Sequence, residues 1–274
     1  MRGFLAKLKY LLAALILLYP VSGAQDVYVM HVCVLIMVYM VLSMGLNIVP
    51  GFCGLLDLGY VGFYGIGAYT AGLLTLHYNL SFWVIVPLAA ANGALWGVLL
   101  GAPTLRLTGD YFAIVTFGFS ELVVLFLTNE IWLTRGPLGL PGIAPISFDL
   151  RWLSKMINPD WKWRYVFSGE TPYFYLALVM VVFVYILMRR MEDSRLGRAW
   201  LAIREDPLAA SSTGVNLLAY KVIAFAISAG IGALAGAFYA RWSLFLSPDM
   251  FKFWESFLVL CMVVLGGLGN INGA

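Results

Sequence analysis

Charge is what this sequence has least of. Only 11% of its 274 residues are charged, against 62% that are hydrophobic. A soluble domain carries about 25% charged residues. So little charge cannot coat a water-soluble globule of this size, and the natural alternative solvent is lipid. Histidine is scarce as well. His31 and His77 are the only two, and neither has an acidic or cysteine neighbour at ligand spacing, which argues against a metal site. Cys33, Cys53 and Cys261 each stand alone in apolar stretches, without a CxxC. They read as reduced core residues. The net charge is only +3, with no basic stripe outside the loops, so no nucleic-acid partner is expected. The sequence has no G-x-x-x-x-G-K-[ST] run, so it cannot itself cradle ATP. It also lacks GxSxG and a paired intramembrane His/Asp, so neither pattern suggests catalysis.

What is present is long apolar runs. A spanning helix needs about 20 mostly apolar residues, and stretches near 5–22, 27–49, 52–76, 82–101, 111–128, 173–190, 221–246 and 253–269 qualify. The expectation is an all-α integral membrane protein of about eight spans, forming one transmembrane domain over 1–274. The first run is ambiguous: Arg2, Lys7 and Lys9 before a short apolar stretch and Val21-Ser22-Gly23-Ala24 also fit a cleaved signal peptide. Either reading puts Gln25 outside. Basic residues favour an inside N-terminus. The inner segments then hold Arg2, Lys7, Lys9, Arg106, Arg189, Arg190, Arg195, Arg198, Arg204 and Lys221. The outer ones hold Arg135, Arg151, Lys155, Lys162, Arg164 and Lys252, mostly in one long loop, 129–172. Its Trp152, Trp161 and Trp163 suit the membrane interface. Residues 191–220 then face the cytoplasm. The chain stops at Gly273-Ala274 without a charged tail, and a fragment lacking further helices is expected.

The stretch from Pro50 to Gly72 has glycine at 51, 54, 59, 62, 65, 67 and 72. Each costs about 1 kcal/mol relative to alanine inside a helix. Two readings stand: very close helix packing, as Gly67/Ala71 and Ala68/Gly72 suit, or an unwound stretch over 50–59 exposing backbone to a substrate. Asp57 lies in it, and Glu121 and Glu255 lie in later spans. A carboxylate at mid-membrane costs about 2.5–3.5 kcal/mol on insertion scales, so such acids are functional candidates. Placement near the membrane edge competes, most strongly for Glu255. Arg241, near the outer end of its helix, is expected to snorkel. Ser228, Gly232, Gly236 and Ala240 recur every four residues, giving a face where backbones approach closely. Asp206 followed by Pro207 is a helix start, and Gly214 a stop. The short helix between them is marginal alone and suits either a solvated loop or a docking surface.

The runs "GLLDLGYVGFYGIGAYTAGLL" (54–74), "LRLTGDYFAIVTFGFSEL" (105–122), "GPLGLPGI" (136–143), "LGRAWLAIREDPLAASSTGVN" (196–216) and "KVIAFAISAGIGALAGAFYA" (221–240) resemble the LivM-type permeases of branched-chain amino acid ABC importers. The resemblance implies a bacterial inner-membrane, multi-pass subunit, its N-terminus cytoplasmic as the basic residues favour; no cofactor is expected. It also implies four partners: a second homologous permease, two cytoplasmic ATP-binding subunits and an extracytoplasmic amino-acid-binding protein. Arg204, Glu205, Asp206, Pro207, Ala209, Ala210, Gly214 and Asn216 would form the segment that docks on an ATPase. The substrate path would draw on Asp57, Gly59, Tyr60, Gly65, Thr116 and Glu121. Two positions depart from the pattern: Leu208 stands where the broader ABC motif has Glu, and Asp57 where many relatives have a small or apolar residue. A permease for urea, short amides or other amino acids is the neighbouring reading. More distant ones are an ATP-independent carrier and an intramembrane enzyme using Asp57 or Glu121.

Overall fold

The computed structural model describes residues 26–105, 110–149, 164–167 and 169–273. The first expected span, 5–22, together with Arg106, Trp152, Trp161 and Trp163, lies outside them. The helices are α1 (Val27–Asn47), α2 (Tyr60–Tyr78), α3 (Phe82–Thr104), α4 (Asp110–Asn129), α5 (Ile131–Thr134), α6 (Glu170–Glu192), α7 (Arg195–Glu205), α8 (Pro207–Ser212), α9 (Leu217–Ser243) and α10 (Phe253–Gly266). The described residues also form two small antiparallel pairs. Leu140 faces Leu246 in one, and Ser147 faces Val166 in the other.

Five described helical stretches are long and apolar enough to cross a membrane: Val27–Phe52, Phe82–Thr104, Tyr111–Asn129, Glu170–Glu192 and Leu217–Ser243. Their outward faces carry exposed Ile36, Met40, Leu99, Leu125, Val182 and Phe183. Apolar bands of this kind require a lipid surround. Eight spans are not reached among the described residues, for two physical reasons. Helix α2 is rich in glycine and tyrosine because twelve of its 19 residues are buried against protein, so it needs little hydropathy of its own. Helix α10 has only 14 residues, roughly 21 Å at 1.5 Å per residue, which is shorter than the ~30 Å hydrocarbon core.

The small-residue face of α9 is the centre of the packing. A Cβ at Gly67 would fall onto the Ala233 carbonyl, and one at Gly236 onto the Tyr64 carbonyl. A Cβ at Gly93 would strike the Ala233 side chain, and one at Gly97 would lie 2.7 Å from the Ala229 Cβ. Helices α2 and α3 therefore lie on α9 at backbone distance, as small-xxx-small faces allow. Ser228 donates to the Gly45 carbonyl at 2.9 Å, which ties α1 to the same face. Aromatic rings fill the remaining gaps: Phe63 meets Phe225 edge-on at 5.5 Å, and Tyr64 meets Phe251 at 5.2 Å.

Two sequence expectations fail here. Arg241 does not snorkel. It is 3% exposed and its guanidinium donates to the carbonyls of Ala144 (3.0 Å), Pro145 (3.3 Å) and Leu80 (2.7 Å). Loop carbonyls supply the partners that solvent would otherwise have to provide. Glu255 is not at an edge either. Its Oε2 accepts from the Tyr39 hydroxyl at 2.8 Å, and Tyr39 stands halfway along the 26-residue stretch Val27–Phe52. After α9 the chain turns at Leu244 (φ 59°), pairs at Phe245–Leu246 and passes through the 3-10 turn Pro248–Phe251. Helix α10 thus begins beside α1, with Ser256 buried and Lys252 and Trp254 exposed. Of the cysteines, Cys53 is buried, Cys33 and Cys261 are half-buried, and all three are free thiols.

Candidate functional site

Two regions hold the residues singled out from the sequence. The first is a break in the backbone between α1 and α2. Helix α1 passes into a π-turn, Ile48–Phe52, and residues 53–59 are not helical. Pro50 removes a backbone donor from the i to i−4 ladder, and Gly54 sits at φ +70°, a region glycine enters without strain. Of the two readings of this segment, unwinding holds at 53–59 and close packing holds from Gly62 to Gly72. Side chains satisfy the freed backbone, as irregular chain at membrane depth requires. Thr116 accepts from the Leu58 N–H at 3.1 Å and Asp57 Oδ1 from the Gly59 N–H at 2.9 Å. Ser256, in the first turn of α10, accepts from the Val61 N–H at 3.1 Å.

Asp57, Gly59, Tyr60 and Thr116 therefore come together. A Cβ at Gly59 would overlap the Thr116 carbonyl. Tyr60 is wedged between Gly45 and Gly232, and its hydroxyl contacts the Gly45 position. The second carboxylate oxygen of Asp57 and the Tyr60 hydroxyl are buried without hydrogen-bond partners among the described residues. Gly65 is separate: it lies against the Phe251 ring, whose Cγ is 3.2 Å from where a Cβ would stand. Glu121 is separate too, exposed on the outward face of α4.

The second region is the end of the bundle built by α7, α8 and the start of α9. Ser194 caps α7, accepting from the Leu196 and Gly197 N–H groups at 3.1 and 3.4 Å. The inner face of α7 buries Trp200 and Ile203. Trp200 stacks on Phe52 with centroids 6.4 Å apart and donates to the Tyr220 carbonyl at 2.9 Å. Asp206 caps α8 through the Leu208 (2.8 Å) and Ala209 (3.2 Å) N–H groups, with Pro207 in the first turn. Gly214, at φ +87°, ends that turn, and Asn216 caps α9 through the Ala219 N–H at 3.1 Å. Ala210 is buried, whereas Arg204, Glu205, Asp206, Pro207, Ala209, Gly214 and Asn216 are exposed. Leu208, 80% exposed, forms an apolar tip on α8.

Arg204 joins the two regions. Its guanidinium donates to the Gly51 carbonyl in the π-turn and lies against Gly269. Asn47, fully buried, extends the link: its Oδ1 accepts from the Gly269 N–H at 2.9 Å and its Nδ2 donates to the Asn270 carbonyl at 3.4 Å. The exposed segment, the broken backbone and the end of α10 thus share one hydrogen-bonded joint. Sequence reading missed Asn47 and the Arg204 contact; the one signal was a lone amide in an apolar run three residues before Pro50.

Comparison with known proteins agrees with this architecture. Residues 28–274 match the family model described as branched-chain amino acid transport system / permease component. The chain is 41% identical to the high-affinity branched-chain amino acid transport system permease protein LivM of Escherichia coli K12, over 98% of this chain and 65% of that protein. It is 44% identical to LivM of Salmonella typhimurium, over 85% of this chain and 57% of that protein. The permease protein LivH of Salmonella typhimurium is 26% identical over 86% of this chain and 77% of its own length. The chain thus spans less than two thirds of the two LivM proteins it matches. No solved structure matches it.

Proposed function

Because this chain belongs to the branched-chain amino acid transport permease family, we propose that it is the transmembrane permease of an ATP-driven importer of leucine, isoleucine and valine. It works beside a second, homologous permease, with two ATP-binding subunits on the α7–α8 side and an amino-acid-binding protein on the other. The observation that carries this reading is the joint around Arg204. The short capped helix α8 presents an exposed apolar tip at Leu208, and Arg204, at the end of the helix just before it, is hydrogen-bonded to the Gly51 carbonyl where the spanning helix α1 breaks. Movement imposed on α8 passes through Arg204 to the π-turn at Gly51, and from there to Asp57–Gly59 and to α10. Stiff, backbone-close packing of α2, α3 and α9 turns that displacement into rocking of helices instead of local deformation. This is alternating access, with the broken stretch as the moving part. The N-terminus and the α7–α8 end are assigned to the cytoplasm, in keeping with the basic residues Arg189, Arg190, Arg195, Arg198 and Arg204. The chain acts as a transport component, with hydrolysis confined to its partners.

The test is uptake of labelled leucine by the complete set of subunits in cells lacking their own importer, with urea as competitor. Saturable leucine uptake that needs the ATPases and ignores urea supports the proposal. Urea accumulation without leucine uptake keeps the coupling scheme and overturns the substrate. Leu208→Arg tests docking better than Ala210→Arg, because Ala210 is buried and Leu208 is not. Unaltered ATP-dependent uptake in Leu208→Arg would end the docking role.

A further inference from the structure

Glu255 carries more than the scheme above uses. It lines a cavity of about 110 Å³ between α1, α2, α9 and α10, with Tyr39, Tyr64 and Tyr239 as its polar wall and Val38 and Val259 among its apolar residues. A water needs about 10–15 Å³ measured this way, so the space exceeds a single solvent site. The cavity lies at mid-depth, since Tyr39 is halfway along Val27–Phe52. Glu255 receives one donor there, the Tyr39 hydroxyl at 2.8 Å, and makes no ion pair among the described residues. Lys252, three residues away, is committed to Asp249 at 2.8 Å. Placement in the first turn of α10 helps the carboxylate by less than a position at membrane depth costs it. A part-buried carboxylate lining a cavity, with one hydrogen-bond donor and no ion pair among the described residues, suits a cation.

We infer that this cavity is a binding subsite for an aliphatic amino acid, with Glu255 holding the α-ammonium and Val38 and Val259 facing the side chain. The inference rests on the importer reading given above and names the residues that meet the substrate. The tyrosines suit the role twice: their hydroxyls accept from an ammonium, and their ring faces attract it. Tyr64 and Tyr239 stand 5.6 Å apart, centroid to centroid, on the wall beside Glu255. The substrate's α-carboxylate lies toward the start of α10, where Lys252 supplies no side-chain cap. Discontinuous helices in transporters present their positive ends to substrate in this way. A small polar cluster in an otherwise apolar cavity is the usual form of a small-molecule site.

The experiment uses the complete transporter in proteoliposomes. Glu255→Gln is expected to raise the KM for L-leucine at least tenfold, with a smaller change in maximal rate, and Tyr39→Phe to raise it severalfold. On the wild-type complex, a membrane-permeant carbodiimide labels Glu255, and mass spectrometry reads the extent. L-leucine and 3-methylbutylamine, which carry the ammonium, should protect Glu255. 4-Methylpentanoate, which lacks it, and sodium chloride should not. Wild-type leucine uptake with an unchanged KM in Glu255→Gln, or equal protection by 4-methylpentanoate, overturns the inference and leaves the importer reading standing. Protection by sodium chloride alone assigns the cavity to an inorganic cation and also overturns it. A wild-type complex that carries no aliphatic amino acid removes both.

Discussion

At the scale of single residues, the glycines differ sharply in what they tolerate. A side chain at Gly67 meets Ala233 backbone, which cannot retreat. Gly67→Val is therefore expected to cost about 3 kcal/mol, the upper part of the range for overpacking, and to lower the thermal midpoint of the purified protein by several degrees. Gly118 has nothing within 4 Å of its Cβ position. Gly118→Ala should leave the midpoint unchanged or raise it, since alanine is favoured by about 1 kcal/mol within a helix. Arg241 sits at the other extreme. Three loop carbonyls depend on it, and Arg241→Ala removes the charged donor from these part-buried acceptors at about 1–3 kcal/mol. The same thermal measurement checks it, with Arg241→Lys expected to recover only part of the loss because an ammonium cannot reproduce the planar fork.

At the scale of elements, the broken span and the short helix are the parts with a mechanical role. Asp206 makes both side-chain capping bonds of α8. Asp206→Ala should destabilise that helix by about 1 kcal/mol and weaken coupling, seen as less leucine carried per ATP hydrolysed. Arg204→Ala breaks the joint without touching α8 itself. It is expected to lower uptake at least severalfold while ATP hydrolysis by the partner subunits continues. If uptake and hydrolysis fall in proportion, Arg204 serves assembly and does not transmit movement.

At the scale of the whole molecule, a bundle with apolar sides has two distinct ends. Leu208 marks one end, and the Leu140–Leu246 strand pair, with Phe245 38% exposed, marks the other. In a variant without Cys33, Cys53 and Cys261, a membrane-impermeant maleimide should reach Leu208→Cys only from the cytoplasmic side and Phe245→Cys only from outside. Labelling of both from one side contradicts the proposed orientation.

The sequence by itself determined the solvent and most of the spans. Hydropathy depends on composition summed over about 20 residues, so Val27–Asn47, Phe82–Thr104, Asp110–Asn129, Glu170–Glu192 and Leu217–Ser243 were each legible to within a few residues. Capping is equally local, and Asp206, Pro207 and Gly214 marked α8 from type and spacing alone. Glycine spacing, in contrast, left packing and unwinding unresolved in 50–72, because both need small residues; only the neighbours that crowd Gly67 and the side chains that satisfy 57–61 separated the two. Tertiary structure also decided the partners of polar residues. Arg241 found loop carbonyls, Glu255 found Tyr39 more than 200 residues away, and Arg204 found Gly51. A charge in a membrane protein goes wherever its desolvation is offset, and that place is set by contacts distant in sequence, which no local pattern records.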